Sequence, residues 1–368
     1  MTTYIYQRPG WPKFHWSDAE IAPLLLDARQ RQGRLLGRME ALGLALTAEA
    51  ALRALTEEAL KTSAIEGEAI DREQLRSSFA RRLGIDGGAP VAAGRDVEGL
   101  VDMLLDATQR FEAPLTPARL FSWHESLFPA EKGAMGRLRS GTWRDDARGP
   151  MQVVSGAIGR ERVHFQAPSA AALSAETEAF FSWFNAPGRL DPVVKAALAH
   201  LWFVTIHPFD DGNGRIARAI AELALARADA TSRRFYSMSG QIRAERKSYY
   251  ETLERTQKGS LDVTLWLAWF LKCLTRAIEG ADALLASLLE KARFWRTHAG
   301  VSFNARQVAM LNRLLDGFVG ALTTSKWGKI AKCSQDTALR DIEGLVRLGV
   351  LAKGPEGGRS TNYSLRKD

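Results

Sequence analysis

The stretch HPFDDGNGRIAR, residues 207–218, places a histidine, two aspartates, two glycines and two arginines within twelve positions. On either side of the central loop, residues 193–206 and 215–228 are apolar and helical in character. Pro208 disfavours the helical conformation at the residue before it, so the first helix should end near His207. The stretch therefore predicts a helix, a glycine-rich loop and a second helix whose N-terminus can bind an anion.

The residue types in this stretch suit phosphate chemistry. A histidine titrates near neutral pH, so His207 can accept a proton from an attacking hydroxyl. Asp211 can hold a divalent cation through oxygen, and the neighbouring glycines let N–H groups approach an anion closely. Arg215 and Arg218, three positions apart, share one helix face and present forked donors to phosphate oxygens. The alternative is a turn with merely solvated charges, but a turn does not explain the histidine and the arginines.

HPFDDGNGRIAR resembles the signature of the Fic family, HPFx(D/E)GNGRxxR, at every defined position. The usual activity of that family is transfer of AMP from ATP to a hydroxyl side chain of a target protein. The resemblance implies His207 as the general base, Asp211 as a Mg²⁺ ligand and Arg218 as the partner of the γ-phosphate. It also implies a phosphate cradle made of Gly212, Asn213, Gly214 and Arg215.

A second segment, TSAIEG at residues 62–67, is similar to the inhibitory motif of the same family, [S/T]xxxE[G/N]. In the family its glutamate pairs with the last arginine of the active-site motif, so the resemblance implies that Glu66 competes with the γ-phosphate for Arg218. The local pattern predicts a helix capped by Thr47 and stopped by Gly67. A glutamate in the last helical turn is disfavoured by the dipole unless it meets a cation. The alternative is an exposed glutamate beside an ordinary helix end.

Residues 151–155 and 162–166, MQVVS and RVHFQ, are rich in β-forming residues and separated by glycines, which predicts a hairpin. It resembles the flap of the Fic family, which holds the target segment by main-chain pairing. The alternative is a purely structural hairpin. The resemblance places the nucleotide contacts of the flap at Val163, His164, Phe165 and Gln166.

Farther along, KSYYETLERTQKG at residues 247–259 resembles the region that lines the nucleoside pocket of the family. The residues that this resemblance implies are Tyr249, Tyr250 and Gln257. Aromatic faces suit an adenine ring, although paired tyrosines on a helix often serve packing alone.

Composition indicates a globular protein of two or three domains, with 368 residues and a net charge of +8. The two cysteines, Cys273 and Cys333, are far apart and suggest neither a disulfide scaffold nor a thiolate metal site, which suits a reducing compartment. The first residues contain no apolar signal-peptide region, and no uncharged apolar run reaches membrane-spanning length. We therefore expect a cytoplasmic protein that does not interact with a membrane.

The pattern of segments predicts a mainly α fold, and the resemblance to the Fic family implies a helical Fic core with a β-hairpin flap; the last segment looks like a C-terminal winged helix-turn-helix domain. Residues 1–45 form an aromatic- and proline-rich helical module, which resembles a module found ahead of some Fic cores. Residues 46–94 contain the inhibitory helix, residues 95–280 the Fic catalytic core and residues 300–368 the winged-helix domain.

The C-terminal segment reads as three short helices and two strand-like runs, with Thr324 and Ser334 as N-caps and Gly349 as a helix stop. Residues 300–368 contain eleven Lys and Arg and six Asp and Glu, a net charge of +5. Such a basic patch on a winged helix is typical of contacts to a phosphate backbone.

If this domain binds DNA, the residues expected to reach it are Gln335, Thr337 and Arg340 on the third helix and Arg359 in the wing. Three acidic residues on the same helix, Asp336, Asp341 and Glu343, would repel phosphates. A protein-docking or dimerisation module is therefore the alternative for this domain.

Two functional hypotheses of different class follow. The first is an ATP- and Mg²⁺-dependent protein adenylyltransferase, restrained by Glu66, that modifies a Ser, Thr or Tyr hydroxyl of a target protein or of itself. Removal of AMP, or transfer of another phosphate-containing group, is open within this class, and the resemblance favours a homodimer. The second is a DNA-binding transcriptional regulator that uses the Fic core as a nucleotide sensor. The intact His207 favours the enzyme, since a sensor needs no base.

Overall fold

The computed structural model describes residues 3–41, 43–85, 90–129, 139–156, 160–188, 190–315, 318, 320–354 and 361–366. The chain is mainly helical and divides into two compact units, Met1–Asp282 and Ala283–Asp368.

The first unit begins with five helices: α1 (Asp18–Glu40), α2 (Leu44–Ile65), α3 (Arg72–Leu83), α4 (Arg95–Gln109) and α5 (Pro117–Leu127). Two of them start at side-chain caps, since Asp71 accepts a hydrogen bond from the Gln74 N–H and Thr116 from the Arg119 N–H. α3 ends at Gly84, whose φ of 66° is readily adopted only without a side chain.

Five further helices follow in this unit: α6 (Leu173–Asn185), α7 (Pro192–Ile206), α8 (Asn213–Asp229), α9 (Met238–Ala244) and α10 (Arg246–Gln257). The residue boundary between the two units falls within the next helix, α11 (Thr264–Thr297). Almost every residue of α7 and α8 is buried, so these two helices form the centre of the core. They are also the two helices that residues 207–218 join, so the glycine-rich loop lies at the end of the most buried helix pair.

Thr47 does not cap α2, contrary to the prediction from the sequence. The cap of α2 is Gly43, the helix begins at Leu44, and Thr47 lies buried within its first turns. Its hydroxyl lies 3.2 Å from the carbonyl oxygen of Met39 and 3.2 Å from that of Gly43, and it can donate to either. Thr47 thus contacts the C-terminal end of α1 from inside α2. The other end of α2 is as predicted, because Gly67 adopts a φ of 89° directly after Glu66.

The predicted hairpin is confirmed. Strands β1 (Gln152–Ser155) and β2 (Arg162–Gln166) are antiparallel, with Gln152 opposite Gln166 and Ser155 opposite Arg162. One face of the hairpin packs on the N-terminal segment: Phe165 is buried, and its ring centroid lies 5.0 Å from that of Tyr4. The N-terminal aromatic residues therefore serve packing.

The second unit contains α12 (Ala305–Leu315), α13 (Thr324–Ala331), α14 (Gln335–Arg347) and an antiparallel pair of strands, β3 (Leu351–Lys353) and β4 (Tyr363–Leu365). Leu322, just before α13, forms a bridge with Tyr363 of β4. Its core surrounds the fully buried Trp327.

The caps of this unit differ at one position from the sequence prediction. Ser334 caps α14 as expected, and Gly349 has a φ of 73° directly after the helix. The cap of α13, however, is Thr323, whose hydroxyl accepts from the Lys326 N–H, and Thr324 is the first helical residue. Arg359, the predicted wing residue, lies outside the described residues.

Within the described part of the chain, none of the helices combines the length and the apolar character needed to span a lipid bilayer. Cys273 and Cys333 are both free thiols, and Cys273 is buried.

Replacing Gly99 by alanine is expected to lower the thermal unfolding midpoint, because a Cβ there would overlap the Ser126 carbonyl oxygen where α4 packs on α5. Overpacking of this kind costs about 1–3 kcal/mol. The matched control is Gly33→Ala in α1, where a Cβ meets no neighbour within 4 Å. That change should stabilise the helix by about 0.5–1 kcal/mol. Shifts of the same sign for both variants, measured by circular dichroism, would contradict the close approach of α4 and α5.

Candidate active site

His207 lies directly after α7, at the point where the helix ends. Its φ is 52°, in the left-handed region, and its N–H donates to the Phe203 carbonyl oxygen at 3.0 Å. The ring nitrogen Nδ1 lies 3.3 Å from the Val204 carbonyl oxygen. Because a carbonyl only accepts, this contact assigns the ring proton to Nδ1 and leaves Nε2 as the basic nitrogen.

The imidazole of His207 is neutral at pH 7. Its pKa is lowered to about 4, chiefly by burial, which removes water from the charged form. The Arg144 guanidinium lowers the pKa as well, whereas the Val204 carbonyl and the carboxylates of Glu66 and Asp211 oppose the shift. A neutral imidazole with a free Nε2 can accept a proton without first losing one.

The loop after His207 is held by an aromatic stack and by one asparagine. Phe209 is fully buried, and its ring stacks on that of His124 with centroids 4.2 Å apart. The Asn213 side chain donates to the Phe209 carbonyl oxygen at 2.8 Å and accepts from the Phe209 N–H at 3.0 Å. Asn213 therefore shapes the loop, since both ends of its amide are bound to the loop's own backbone.

Gly212 and Gly214 are required for different reasons. Gly212 has a φ of 76°, and a Cβ there would lie 2.7 Å from the Phe128 ring. Gly214 lies in the first turn of α8, where a Cβ would overlap Oε1 of Glu66. Gly214 thus lets a carboxylate lie against the N-terminus of α8, which favours negative charge.

Both arginines of the stretch are buried on the first turns of α8. Arg218 Nη2 donates to Glu66 Oε1 at 2.7 Å, and Arg218 Nε donates to the Thr62 hydroxyl at 2.7 Å. Arg218 Nη2 also contacts the Thr62 carbonyl oxygen at 3.1 Å. The first and fifth residues of the TSAIEG segment therefore bind the same guanidinium.

The carboxylate of Glu66 is charged in this arrangement. Burial raises the pKa of the Glu66 carboxyl, but the attraction of Arg218, with smaller contributions from Arg215 and Arg246, outweighs it and the pKa lies below its ordinary value. The Glu66 side chain keeps 32% of its surface exposed, whereas that of Arg218 keeps 2%. The buried partner of this pair is thus the cation.

Glu68 is a site residue that the sequence analysis missed. Its Oε2 accepts from Arg215 Nη1 at 2.6 Å, with 46% of the Glu68 side chain and 6% of the Arg215 side chain exposed. The Arg215 guanidinium also lies over the Phe128 ring, 4.8 Å from its centroid. The signal in the sequence that could have identified Glu68 is its position, since it is a second acidic residue two positions after Glu66. The turn after α2 therefore supplies one carboxylate to each arginine.

Asp211 is exposed at the mouth of this site, and its Oδ1 accepts from the Gly212 N–H at 2.6 Å. In the part of the chain that the structure describes, no three His, Cys, Asp or Glu side chains are grouped to hold a metal ion. Mg²⁺ commonly keeps several waters and uses one or two carboxylates together with substrate phosphates. A single accessible carboxylate beside an anion-binding helix end fits that mode.

The predicted flap residues face different surroundings. Val163 is exposed, Phe165 is buried against Tyr4, and Gln166 Oε1 accepts from Gln152 across the hairpin at 3.0 Å. His164 bridges the hairpin and α10, because its Nδ1 lies 2.7 Å from a carboxylate oxygen of Glu254 and its Nε2 lies 2.6 Å from the Ser155 hydroxyl.

The predicted nucleoside-pocket residues lie on α10. Tyr249 is buried, with its hydroxyl 2.9 Å from His200 Nε2, so packing and this hydrogen bond occupy it. Gln257 is buried too, and its Nε2 donates to the Thr205 hydroxyl at 3.3 Å, near the end of α7. Tyr250 is partly exposed, and the Arg246 guanidinium lies 5.4 Å from its ring centroid. Of the three, Tyr250 is the one with exposed surface.

Comparison with known proteins identifies two matched regions. Residues 114–225 match the sequence profile of the Fic/DOC family, and residues 4–85 match a domain of unknown function (DUF4172). The protein adenylyltransferase Fic of Nematostella vectensis is 36% identical over 122 residues, which cover 33% of this chain and 26% of that protein. The protein adenylyltransferase Fic of Drosophila mojavensis is 25% identical over 265 residues, covering 69% of this chain and 47% of that protein.

The chain thus spans roughly a quarter to a half of the length of these two relatives. Among solved structures, the fold is similar to a Fic family protein from Desulfovibrio desulfuricans G20, at 20% identity and a TM-score of 0.55, covering 96% of this chain and 98% of that chain. A Fic-1 fragment from C. elegans gives 20% identity and a TM-score of 0.51, covering 72% and 73%. This chain carries a Fic/DOC domain at residues 114–225, and its fold is mainly helical like that of a solved Fic family protein.

Proposed function

We propose that this protein is an adenylyltransferase that moves AMP from ATP to a Ser, Thr or Tyr hydroxyl of a target protein, with itself as one candidate target. The observation that carries the proposal is the placement of a neutral imidazole, that of His207, at the end of α7 beside the anion-binding N-terminus of α8. The names of the curated relatives support the same activity.

In the proposed reaction, Nε2 of His207 takes the proton of the target hydroxyl. The hydroxyl oxygen forms a bond to the α-phosphorus of ATP, the bond to the β-phosphate oxygen breaks, and pyrophosphate leaves. The N–H groups at the start of α8 and the guanidiniums of Arg215 and Arg218 offset the charge on the phosphates. Mg²⁺ held through Asp211 would neutralise further phosphate charge.

The same site supports self-inhibition. Glu66 and a γ-phosphate are both anions, and Arg218 is held by the Glu66 carboxylate at 2.7 Å. The carboxylate also lies against Gly214, where phosphate oxygens would meet the helix N-terminus. Productive binding of ATP therefore requires that the Glu66 carboxylate move away from Arg218 and from the start of α8.

Glu66→Gly is expected to raise AMP transfer roughly tenfold or more, because a charge-assisted hydrogen bond of about 1.5–3 kcal/mol no longer opposes the phosphate. Adding His207→Ala to that variant should lower the rate by about 10²–10⁴-fold, the usual contribution of a general base. Transfer is measured with α-labelled ATP, and by mass increase, on the protein itself and on lysate proteins.

The control is Glu73→Gly in α3, an exposed glutamate outside the site, which should leave the rate unchanged. Equal labelling by the wild type and by Glu66→Gly would argue against the inhibitory role. Loss of AMP from a previously modified target, dependent on Glu66, would instead indicate the removal reaction.

Glu68→Gln is expected to raise transfer less than Glu66→Gly does, by roughly fivefold at most, because the Glu68 carboxylate is more exposed and its pair with Arg215 is weakened by solvent. The faster transfer should result from a lower Michaelis constant for ATP. In the double variant, the effects of Glu68→Gln and Glu66→Gly on this constant should add. Higher salt should shrink the effect of Glu68→Gln, since exposed charges are screened. No change in the Michaelis constant would exclude competition at Arg215.

A second candidate function is DNA binding by the second unit as a winged helix-turn-helix domain. The observation that favours it concerns Asp341, which is buried and bound by Arg306 Nε at 2.8 Å and by Asn304 Nδ2 at 2.8 Å. This acidic residue is therefore neutralised within the unit and does not face a phosphate. Gln335 and Arg340 are exposed on α14, whereas Asp336 and Glu343 still oppose binding.

Arg340→Ala is expected to weaken DNA binding of the full chain and to reduce the slope of log affinity against log salt by about one, because one phosphate contact is lost. Gel shifts with a duplex at graded salt measure both quantities. The control is Arg313→Ala on α12, another exposed arginine of the same unit. Absence of any shift at low salt would leave the unit as a protein-docking module.

A further inference from the structure

Arg144 is a buried arginine that neither motif contains. None of its side-chain surface is exposed. Its Nε donates to the His207 carbonyl oxygen at 2.8 Å, and its Nη2 donates to the Pro168 carbonyl oxygen at 2.5 Å. Its Nη1 pairs with Asp146 at 2.9 Å. One guanidinium thus binds the backbone of the candidate base and a segment beside the hairpin.

At the bend after α7, Arg144 binds two consecutive peptide carbonyls, those of His207 and Pro208. The backbone N–H of Arg144 donates to the Pro208 carbonyl oxygen at 2.9 Å, next to the His207 carbonyl that the side chain binds. The last carbonyls of a helix have no partner within it, and a buried one must find a donor elsewhere. Arg144 supplies that donor at a residue whose φ of 52° is disfavoured for a side-chain-bearing residue.

The contacts to the hairpin lie at its open end, next to the start of β1 and the end of β2. Pro168 follows the last residues of β2, and the Ala167 N–H donates to the Met151 carbonyl oxygen at 3.0 Å, just before β1. Asp146, which pairs with Arg144, accepts from the Ala170 N–H at 2.6 Å. The loop that contains Arg144 and Asp146 therefore contacts both the segment after the hairpin and the backbone of His207.

We propose that Arg144 is a positioning residue that holds the base of the hairpin and the imidazole of His207 in one fixed relation for the transfer reaction. The proposal rests on the proposed function, in which the hairpin is the flap that presents the target segment and His207 accepts the proton of the target. A fork is needed because the two carbonyl oxygens and a carboxylate lie in three directions from one buried group. Lysine has the charge but a single nitrogen.

The charge of Arg144 has a second consequence for His207. Burial is the largest cause of the lowered pKa of His207, and Arg144 adds to it, whereas Glu66, Asp211 and the Val204 carbonyl act in the opposite direction. A base with a lowered pKa is active above that pKa and is lost as the pH falls through it. Removing the Arg144 charge should therefore raise the pKa of His207 and move the acid limb of the rate profile to higher pH.

The test compares Arg144→Met, which removes charge and fork, with Arg144→Lys, which keeps only the charge, both in the full chain carrying Glu66→Gly. Arg144→Met should lower kcat at least tenfold and move the acid limb upward. Arg144→Lys should lower kcat as well but leave the acid limb in place. The control is Arg139→Met, which removes an exposed arginine paired with Asp145 from the same loop, and which should change neither.

An NMR titration of the His207 ring, without nucleotide, tests the charge effect without relying on activity. A raised His207 pKa in Arg144→Met and an unchanged one in Arg144→Lys supports the proposal even where the parent variant transfers no AMP, in which case only the proposed function fails. Where Arg144→Met does not fold, Asp146→Asn takes its place, with a smaller fall in kcat expected. An unchanged His207 titration together with unchanged kcat in the folded variants would overturn the inference.

Discussion

A guanidinium buried on the second turn of a core helix is the constraint on which the site depends. Arg218 is 2% exposed, and a charge removed from water is tolerated only when acceptors replace the lost hydration. The end of α2 supplies those acceptors, the hydroxyl and carbonyl of Thr62 and the carboxylate of Glu66. These contacts join the C-terminal end of α2 to the start of α8.

This constraint ties stability to ligand binding. Arg218 Nη1 and Arg215 Nε are buried and have no hydrogen-bond partner among the described residues, so the pair of arginines retains unused capacity for anions. An incoming triphosphate would complete that set of donors, but only by taking the place of carboxylates that now hold the turn after α2. Under the proposed function, the arrangement seen here and a nucleotide-bound one would compete for the same donors, and the balance between them would be a difference of two electrostatic free energies.

Contacts from neighbouring residues hold His207 and the loop that follows it. Phe209 and His124 stack, Asn213 closes the loop on the Phe209 backbone, and the Val204 carbonyl selects the tautomer of His207. The stack and the asparagine hold the backbone between α7 and α8, and the Val204 carbonyl leaves Nε2 of His207 without the ring proton.

The sequence by itself determined the local features. The end of α7 at His207, the hairpin, the stop at Gly67 and the helical character of the chain follow from proline, glycine and apolar periodicity, which act over a few residues. The pairing of Glu66 with Arg218, 152 positions apart, was predicted only because two family motifs were present together.

Only the tertiary structure decided the rest. The pair of Glu68 and Arg215 spans 147 positions, and the hydrogen bond from Arg144 to His207 spans 63. No local pattern encodes which carbonyl a distant arginine will meet. Thr47 likewise lies buried inside α2 and not at its cap, and Phe165 packs against Tyr4. Local propensities are worth fractions of a kcal/mol per residue, whereas desolvated charges and buried aromatic rings are worth more, so packing settled these positions.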